Sequence, residues 1–320
     1  MATNRSMNVA LADGQMTSDT VRKKTVVEDM VWRKADLLSV GVKVLPTKTY
    51  PTMDIAASFP SNLIGEYPLA PGAKVNYERV SWTPYGYTLY KFEARWRITG
   101  EAKVRQQAQQ DQNTCMRKAA KALAFWKDKE AIDKIIAGAY ATNNVTVAAG
   151  DEWNSGNPTA DPEGNIVDAW NNLLANGYED DEGMMTNISL IVPANVFAQL
   201  NKLMLIGNVQ QRLRDYVKSN YSISVFPTRY TDQITHPPGS IYTLAGATTG
   251  ISDDAYMLVN SEDVGEIGVM NTRIIPMSGH TLHDTGDEEW FVRQYFGVKM
   301  QPNSSSDATN VGIAKILNVC

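Results

Sequence analysis

The sequence predicts an α+β chain: extended segments and a two-stranded ribbon at the start, a very long helix, an α/β lobe, and a closing set of strands. Three observations predict it. The first is Tyr90–Asp111, YKFEARWRITGEAKVRQQAQQD, where Tyr90, Phe92, Ala94, Trp96 and Ile98 alternate with Lys91, Glu93, Arg95 and Arg97. At Gly100–Glu101 this two-residue period gives way to a helical one. The second is the alternation of strand-like and helix-like runs over residues 165–262, which argues for one mixed sheet flanked by helices. The third is the return to long strand patterns beyond Gly265.

Taken in order, residues 1–24 are polar, small and aperiodic, and read as an arm that gains order on a neighbouring subunit. Thr25–Leu38 has the spacing of a short amphipathic helix, with Val26, Val27, Met30, Val31, Leu37 and Leu38 on its apolar side. Leu45–Gly72, LPTKTYPTMDIAASFPSNLIGEYPLAPG, carries five prolines in 28 residues and is expected as extended chain without regular structure, lying across another surface. Ala73–Trp82, a turn at Thr83–Tyr87 (TPYGY) and the alternating strand together predict a ribbon over Ala73–Thr99. Such a ribbon is marginal in water unless it packs on something else.

Glu101–Ala137 contains neither Gly nor Pro and predicts one helix of 37 residues. Its length would be ~55 Å, against a diameter of ~50 Å for a compact globule of this size. Val104, Ala108, Cys115, Ala119, Leu123, Trp126, Ile132, Ile135 and Ile136 form one apolar stripe, so the helix is expected on a surface and not wrapped by a core. A loop follows at Asn143–Asn165, then a helix at Asp168–Ala175, a strand at Thr186–Val192 and a helix opened by Pro193 and running to about Leu205. A helix at Val209–Val217 and strands at Ile223–Pro227, Ser240–Ala245 and Asp254–Asn260 complete the lobe. Gly265–Met277 and Glu288–Met300 read as long strands joined by SGHTLHDTGD. The polar loop NSSSDATN leads to a final strand, Val311–Leu317.

Composition bounds the function. The chain has 320 residues, 43% hydrophobic and 20% charged, which is globular composition. Its net charge of −5 lacks the footprint of a dedicated nucleic-acid binder. Lys91–Lys134 is the exception, with 11 Lys/Arg against 6 Asp/Glu. A solvated helix face accounts for that bias, and an approach to nucleic acid is the sharper alternative. Two cysteines, Cys115 and Cys320, exclude a disulfide framework or a four-cysteine zinc site. The polar N-terminus and the lack of a long apolar run predict an intracellular, soluble product.

Signals for catalysis are weak. His280, His283, Asp284 and Asp287 crowd one loop, but Gly279 and Gly286 make it a flexible one, and no metal site is predicted. GATTG at Gly246–Gly250 lacks the Lys-Ser/Thr of a phosphate-cradling loop. Cys115 has no histidine near it in sequence and reads as a small buried residue. EDDE at Glu179–Glu182 lacks the spacing of a calcium loop. No cofactor and no enzymatic activity are predicted.

The order of elements resembles the major capsid proteins of tailed viruses with the HK97-type fold. The likeness is sharpest at YKFEARWRITGEAKV and KALAFWKDKEAI, similar to that family's ribbon strand and spine helix, and at RQYFGVKMQPN with VGIAKI, similar to its closing strands. The resemblance implies residues 1–72 as N-terminal arm and extended segment, 73–99 as the E-loop and 100–164 as a P-domain with the spine helix. It further implies 165–262 as an A-domain, 263–302 as returning P-domain strands and 303–320 as a C-terminal strand rejoining the A-domain. Subunits would self-assemble into hexamers and pentamers of an icosahedral shell around double-stranded DNA, with scaffold, portal and decoration proteins as partners. The product would be a virion protein assembled in the host cytoplasm. Lys74, Val75, Tyr77, Trp82, Tyr85, Tyr87, His280 and His283 would meet neighbouring subunits; the half of Tyr90–Ile98 nearest the helix would join the P-domain sheet, and the half nearest Tyr87 would meet another subunit. Lys74 and Asn271 are conceivable partners in an inter-subunit cross-link, although nothing in the sequence fixes them. The alternatives are an encapsulin-like compartment and a soluble α/β enzyme using His280, His283 and Asp284.

Overall fold

The structure, a computed structural model, describes residues 18–60, 82–105, 108–157, 159–175, 187–206, 209–228, 253–270, 280–281, 287–302 and 309–320. Helices α1 (Ser18–Leu38) and α2 (Gly41–Val44) lead into strands β1 (Thr47–Thr49) and β2 (Asp54–Pro60). Strands β3 (Trp82–Thr88) and β4 (Tyr90–Ile98) precede α3 (Gly100–Val104) and α4 (Ala108–Gly138). A 3-10 turn at Ala141–Asn143 and β5 (Val145–Thr146) are followed by α5 (Pro162–Ala175), β6 (Ile188–Pro193), α6 (Ala194–Leu200) and β7 (Leu203–Ile206). Then come β8 (Val209–Arg212), α7 (Leu213–Tyr221), β9 (Ile223–Thr228) and β10 (Ala255–Val259). β11 (Gly265–Met270), β12 (His280–Thr281), β13 (Glu288–Met300) and β14 (Ile313–Leu317) complete the order.

One sheet is built on β13. Its long antiparallel partner β4 runs from Tyr90 opposite Phe296 to Ile98 opposite Glu288. All nine residues of β4 therefore pair within the chain, and the expectation that only its helix-proximal half joins a sheet is corrected. The alternation works as the pleat requires: Phe92, Ala94 and Trp96 pack towards the core with buried Ile98 and Val292. On the other edge of β13 lie β11, paired from Met270 to Gly265, and β12, paired at Glu288 and Glu289. Parallel β1 extends the sheet beyond β11.

The single 37-residue helix is corrected to two. Arg105 closes α3 with φ −80° and ψ 3°, outside the helical region, and α4 starts at Ala108. The first turn belongs to the sheet. Thr99 Oγ1 accepts from the Ala102 N–H at 3.3 Å, and Lys103 Nζ lies 3.0 Å from Glu288 Oε1. α4 then runs for 31 residues, ~46 Å. Val104 is 85% exposed and leaves the apolar stripe.

Nor is α4 a bare surface helix. The sheet covers one side, α1 and α2 cover another, and Ala119, Leu123, Ala131, Ile132 and Ile135 are buried between them. α1 begins at Ser18, earlier than expected, and buries Val31, Trp32 and Ala35. Val26, Met30, Leu37 and Leu38, predicted on its apolar side, are exposed.

The proline-rich segment has regular structure after all. β2 pairs antiparallel with β3, from Asp54 opposite Thr88 to Pro60 opposite Trp82. TPYGY is therefore strand and not turn, and its paired limb is 54–60; the limb expected over 73–82 lies, apart from Trp82, outside the described residues. Proline is tolerated here because a two-stranded ribbon consists only of edge strands.

The second sheet has the order β5-β14-β10-β6-β9 and is mixed, with α5 against β14 and α6 and α7 against β6 and β9. β6 and β10 are buried along their whole length. Local boundaries differ from expectation: α5 begins at Pro162, and the segments read as helix at Leu203–Leu205 and Val209–Arg212 form a hairpin, β7–β8. The Ser240–Ala245 strand lies outside the described residues. Asn310, the last residue of the loop NSSSDATN, is a buried node: its N–H donates to Gly138 O at 2.8 Å and its amide to Gln301 O at 2.8 Å and Asp263 O at 3.1 Å. It ties the end of α4 to both sheets.

Candidate assembly interface at the root of the ribbon

The ribbon leaves the first sheet through a slot made by two glycines. Gly268 and Gly297 face each other across β11 and β13. A Cβ on Gly297 would sit 2.9 Å from Thr88 O and 3.2 Å from Leu89 Cδ2. One on Gly268 would sit 2.5 Å from Tyr87 Oη and 3.0 Å from Leu89 Cδ2. Leu89, fully buried between β3 and β4, crosses the sheet there, and its N–H donates to Met53 O at 2.9 Å to close the ribbon's base. A glycine inside a strand marks such a close approach.

Two positions along the ladder, the cross-strand pair Glu266 with Lys299 supplies the anchor. Glu266 is buried and accepts hydrogen bonds from the Tyr87 hydroxyl at 3.1 Å and from the Tyr50 hydroxyl. Lys48 Nζ at 3.9 Å and Lys299 Nζ at 3.8 Å compensate its charge. Burial pushes the Tyr50 and Tyr87 phenols above the ordinary tyrosine range, and the hydrogen bonding around Glu266 adds to it. Both hydroxyls stay protonated donors, and their rings meet edge to face at 6.1 Å.

Beyond the root, the outer face of β4 and β13 carries charge that is compensated internally. Burial pushes the Glu93 carboxyl upward, but hydrogen bonds from Lys91 and Arg95 outweigh it and lower its pKa to about 2. Arg293 Nε adds a contact at 3.1 Å. The Arg293 and Arg95 guanidinium carbons lie 5.1 Å and 6.0 Å from the Phe291 ring centre. Asp287 pairs with Arg97 and accepts the Gly100 N–H at 2.6 Å, so this member of the His/Asp loop is committed to holding the strand-to-helix junction.

Of the residues expected at interfaces, Tyr87 sits in the anchor and its hydroxyl is engaged within the chain. Trp82 and Tyr85 lie on β3 opposite Pro60 and Ala57, and His280 lies on β12 opposite Glu289. Lys74, Val75, Tyr77, His283, Asp284 and Asn271 lie outside the described residues. Among the described residues no three His, Cys, Asp or Glu side chains gather as a metal site. Cys115 is half-buried, not buried as expected, and burial pushes its thiol upward. Sequence reasoning missed Glu266, Tyr50, Leu89 and the glycine pair. The available signal was a glycine inside each of two strand-like runs, GEIGVM and YFGVKM.

Residues 83–304 match the model of the family described as phage capsid protein. The chain belongs to the phage capsid protein family. It is a structural capsid protein. Its fold is similar to a phage-related protein from Bordetella bronchiseptica, at 13% identity and a TM-score of 0.56, covering 91% of this chain and 96% of that one. A virus-like particle from Pyrococcus furiosus is similar at 11% identity and a TM-score of 0.54, covering 91% and 97%. A chain of Mycobacterium phage Che8 is similar at 11% identity and a TM-score of 0.52, covering 87% and 90%. No curated protein matches the sequence. The α+β architecture is HK97-like, and the capsid protein is a self-assembling virion component.

Proposed function

We propose that copies of this capsid protein form hexamers and pentamers of a closed icosahedral shell around double-stranded DNA, each ribbon lying on the next subunit. The observation that carries the reading is the ribbon itself: β2 and β3 pair with each other and with no other described strand, yet their root is firmly built into the sheet. A free two-stranded ribbon is marginal in water, so its stability is supplied by a neighbour. The E-loop is then β2 and β3 with residues 61–81 between them, α4 is the spine helix, and the sheet containing β6 and β10 is the A-domain. Lys74, Val75, Tyr77, Trp82 and Tyr85 are the contacts we assign to the neighbour, and His280 and His283 to the junction between capsomers. Contacts repeated around closed rings add up through multivalency. The protein acts without catalysis in this role, assembles in the host cytoplasm, and has scaffold, portal and decoration proteins as further partners.

Negative-stain microscopy of the recombinant protein tests this. Uniform closed particles are expected, and native particles are expected to hold nuclease-protected DNA. A monodisperse monomer at every salt concentration, with or without co-expressed scaffold, would overturn the reading. Particles filled with a protein cargo and free of DNA would replace it with an encapsulin-like compartment.

A further inference from the structure

α1 and α4 meet along a groove of ≈ 370 Å³ lined by Met30, Val31, Lys34, Asn113, Met116 and Arg117. Its floor is apolar: Val31 is buried, Met116 is half-buried, and Met30 is 55% exposed. Val26, one turn before Met30, is equally exposed at 55%, and Leu37, two turns beyond, at 74%. These three side chains share one face of α1 over about 16 Å. An exposed apolar stripe of this kind marks an interaction surface, and methionines suit it because they repack around different shapes.

The walls of the groove are basic, and no ion pair among the described residues compensates them. Each described lysine or arginine of the β13 sheet has a carboxylate partner: Lys48, Lys91, Arg95, Arg97, Arg293 and Lys299. Lys34 on one wall and Arg117 on the other are exposed, and no ion pair joins either to a carboxylate among the described residues. Arg117 bonds only within its own helix, donating to Asn113 O at 3.3 Å and Thr114 Oγ1 at 3.5 Å. Lys121, one turn on from Arg117, is likewise exposed and without such a partner.

We infer that the α1–α4 groove binds an acidic amphipathic helix of a second polypeptide. Its apolar side chains would rest on Met30, Val31 and Met116, and its carboxylates would meet Lys34 and Arg117. Charge complementarity selects the occupant: two cationic walls flank an apolar floor, the inverse of a helix with acidic flanks and an apolar stripe. A nucleic-acid backbone fits less well, because half-exposed Met30 and Val26 offer it neither donors nor charge. The inference goes beyond self-assembly, and its test reads binding, whereas particle formation tests the shell.

The probe is a fluorescent peptide of about 18 residues, with Leu at helical i, i+3/4 spacing and Glu elsewhere, titrated by anisotropy into the full-length protein. A Lys-for-Glu peptide and a DNA duplex are the comparison probes. Saturable binding of the acidic peptide alone is expected. It should weaken about tenfold or more in the double variant Lys34→Glu/Arg117→Glu and several-fold in Met30→Gln. Lys134→Glu, an exposed cation further along α4, should leave it unchanged. Circular dichroism confirms that each variant is folded. The proposal is overturned if DNA binds and the acidic peptide does not, if both peptides bind alike, or if the double variant binds normally. It is also overturned if the variants change only association between copies of the chain.

Discussion

At the scale of single residues, the ribbon's root depends on atoms that are absent. At Gly297 the obstructing group would be the Thr88 carbonyl, part of the backbone, at 2.9 Å. At Gly268 it would be chiefly the tip of the Tyr87 side chain, at 2.5 Å. Gly297→Ala is therefore expected to destabilise by about 1–3 kcal/mol and Gly268→Ala by less, because a hydroxyl moves more easily than a strand. Urea unfolding of the two variants measures the order. Glu93 is the second such case. Its folded pKa of about 2 lies below the ordinary 4.5, so its contribution is fully present above pH 4.5 and is lost as pH falls towards 2. Lys91 and Arg95 are 42% and 76% exposed, so solvent screens the contacts. Glu93→Gln should cost only about 1 kcal/mol at neutral pH. The gap to the unmodified protein should close between pH 4.5 and 2 in melts followed by circular dichroism.

At the scale of elements, the seam between α4 and the N-terminal helices is polar as well as apolar. Lys127 is fully buried on α4 and its Nζ lies 2.5 Å from Asp36 Oδ1 on α1, while Asp36 keeps 41% of its side-chain exposure. Asp128, its neighbour, accepts from Ser39 Oγ at 2.6 Å and from the Gly41 N–H at 2.8 Å, which caps α2. Burial holds the Asp128 carboxyl above the usual carboxylate range despite these bonds. Removing Asp36 strands a buried ammonium, whereas replacing Lys127 with methionine leaves a carboxylate that water can reach. Asp36→Ala is expected to cost about 3 kcal/mol and Lys127→Met within about 1 kcal/mol, a ranking that thermal unfolding reads directly. The absence of Gly and Pro predicted a helix over this stretch, and its apolar stripe included Ala119, Leu123, Ile132 and Ile135, which the structure buries. That pattern had no means of placing a buried lysine, because that placement depends on a carboxylate 91 positions away.

At the scale of the whole molecule, the two ends of the fold respond differently to deletion. β14 lies between β5 and β10, and its Ile313, Ala314 and Ile316 are fully buried. Removing residues 311–320 takes an inner strand from the second sheet, and the truncated chain is expected in the insoluble fraction on expression. Replacing residues 56–86 with a short turn spares both sheets. That variant should keep its circular dichroism spectrum and yield no particles in negative stain. If it still forms closed shells, the ribbon is not the assembly device.

The amino-acid sequence by itself determined those elements whose pattern is local and long. Alternation over nine residues set β4 at Tyr90–Ile98, and Glu288–Met300 read as a long strand, which is β13. The chain order of ribbon, long helix, α/β lobe and closing strands was legible too, and it carried the capsid resemblance. Only the tertiary structure decided that Asp54–Pro60 pairs with β3, because the partners are remote in sequence and the prolines of that segment read as irregular chain. It likewise decided the break after Val104, imposed by Lys103–Glu288 and Asp287–Gly100 contacts that no helix propensity contains. It decided which side of α1 faces the core, since Trp32 and Val31 compete with Met30 and Leu37 on hydrophobicity alone and packing against α4 settles the choice. Patterns of period two and 3.6 report which face of an element is apolar; what that face meets is a contact between distant residues, and its energy exists only once the chain has folded.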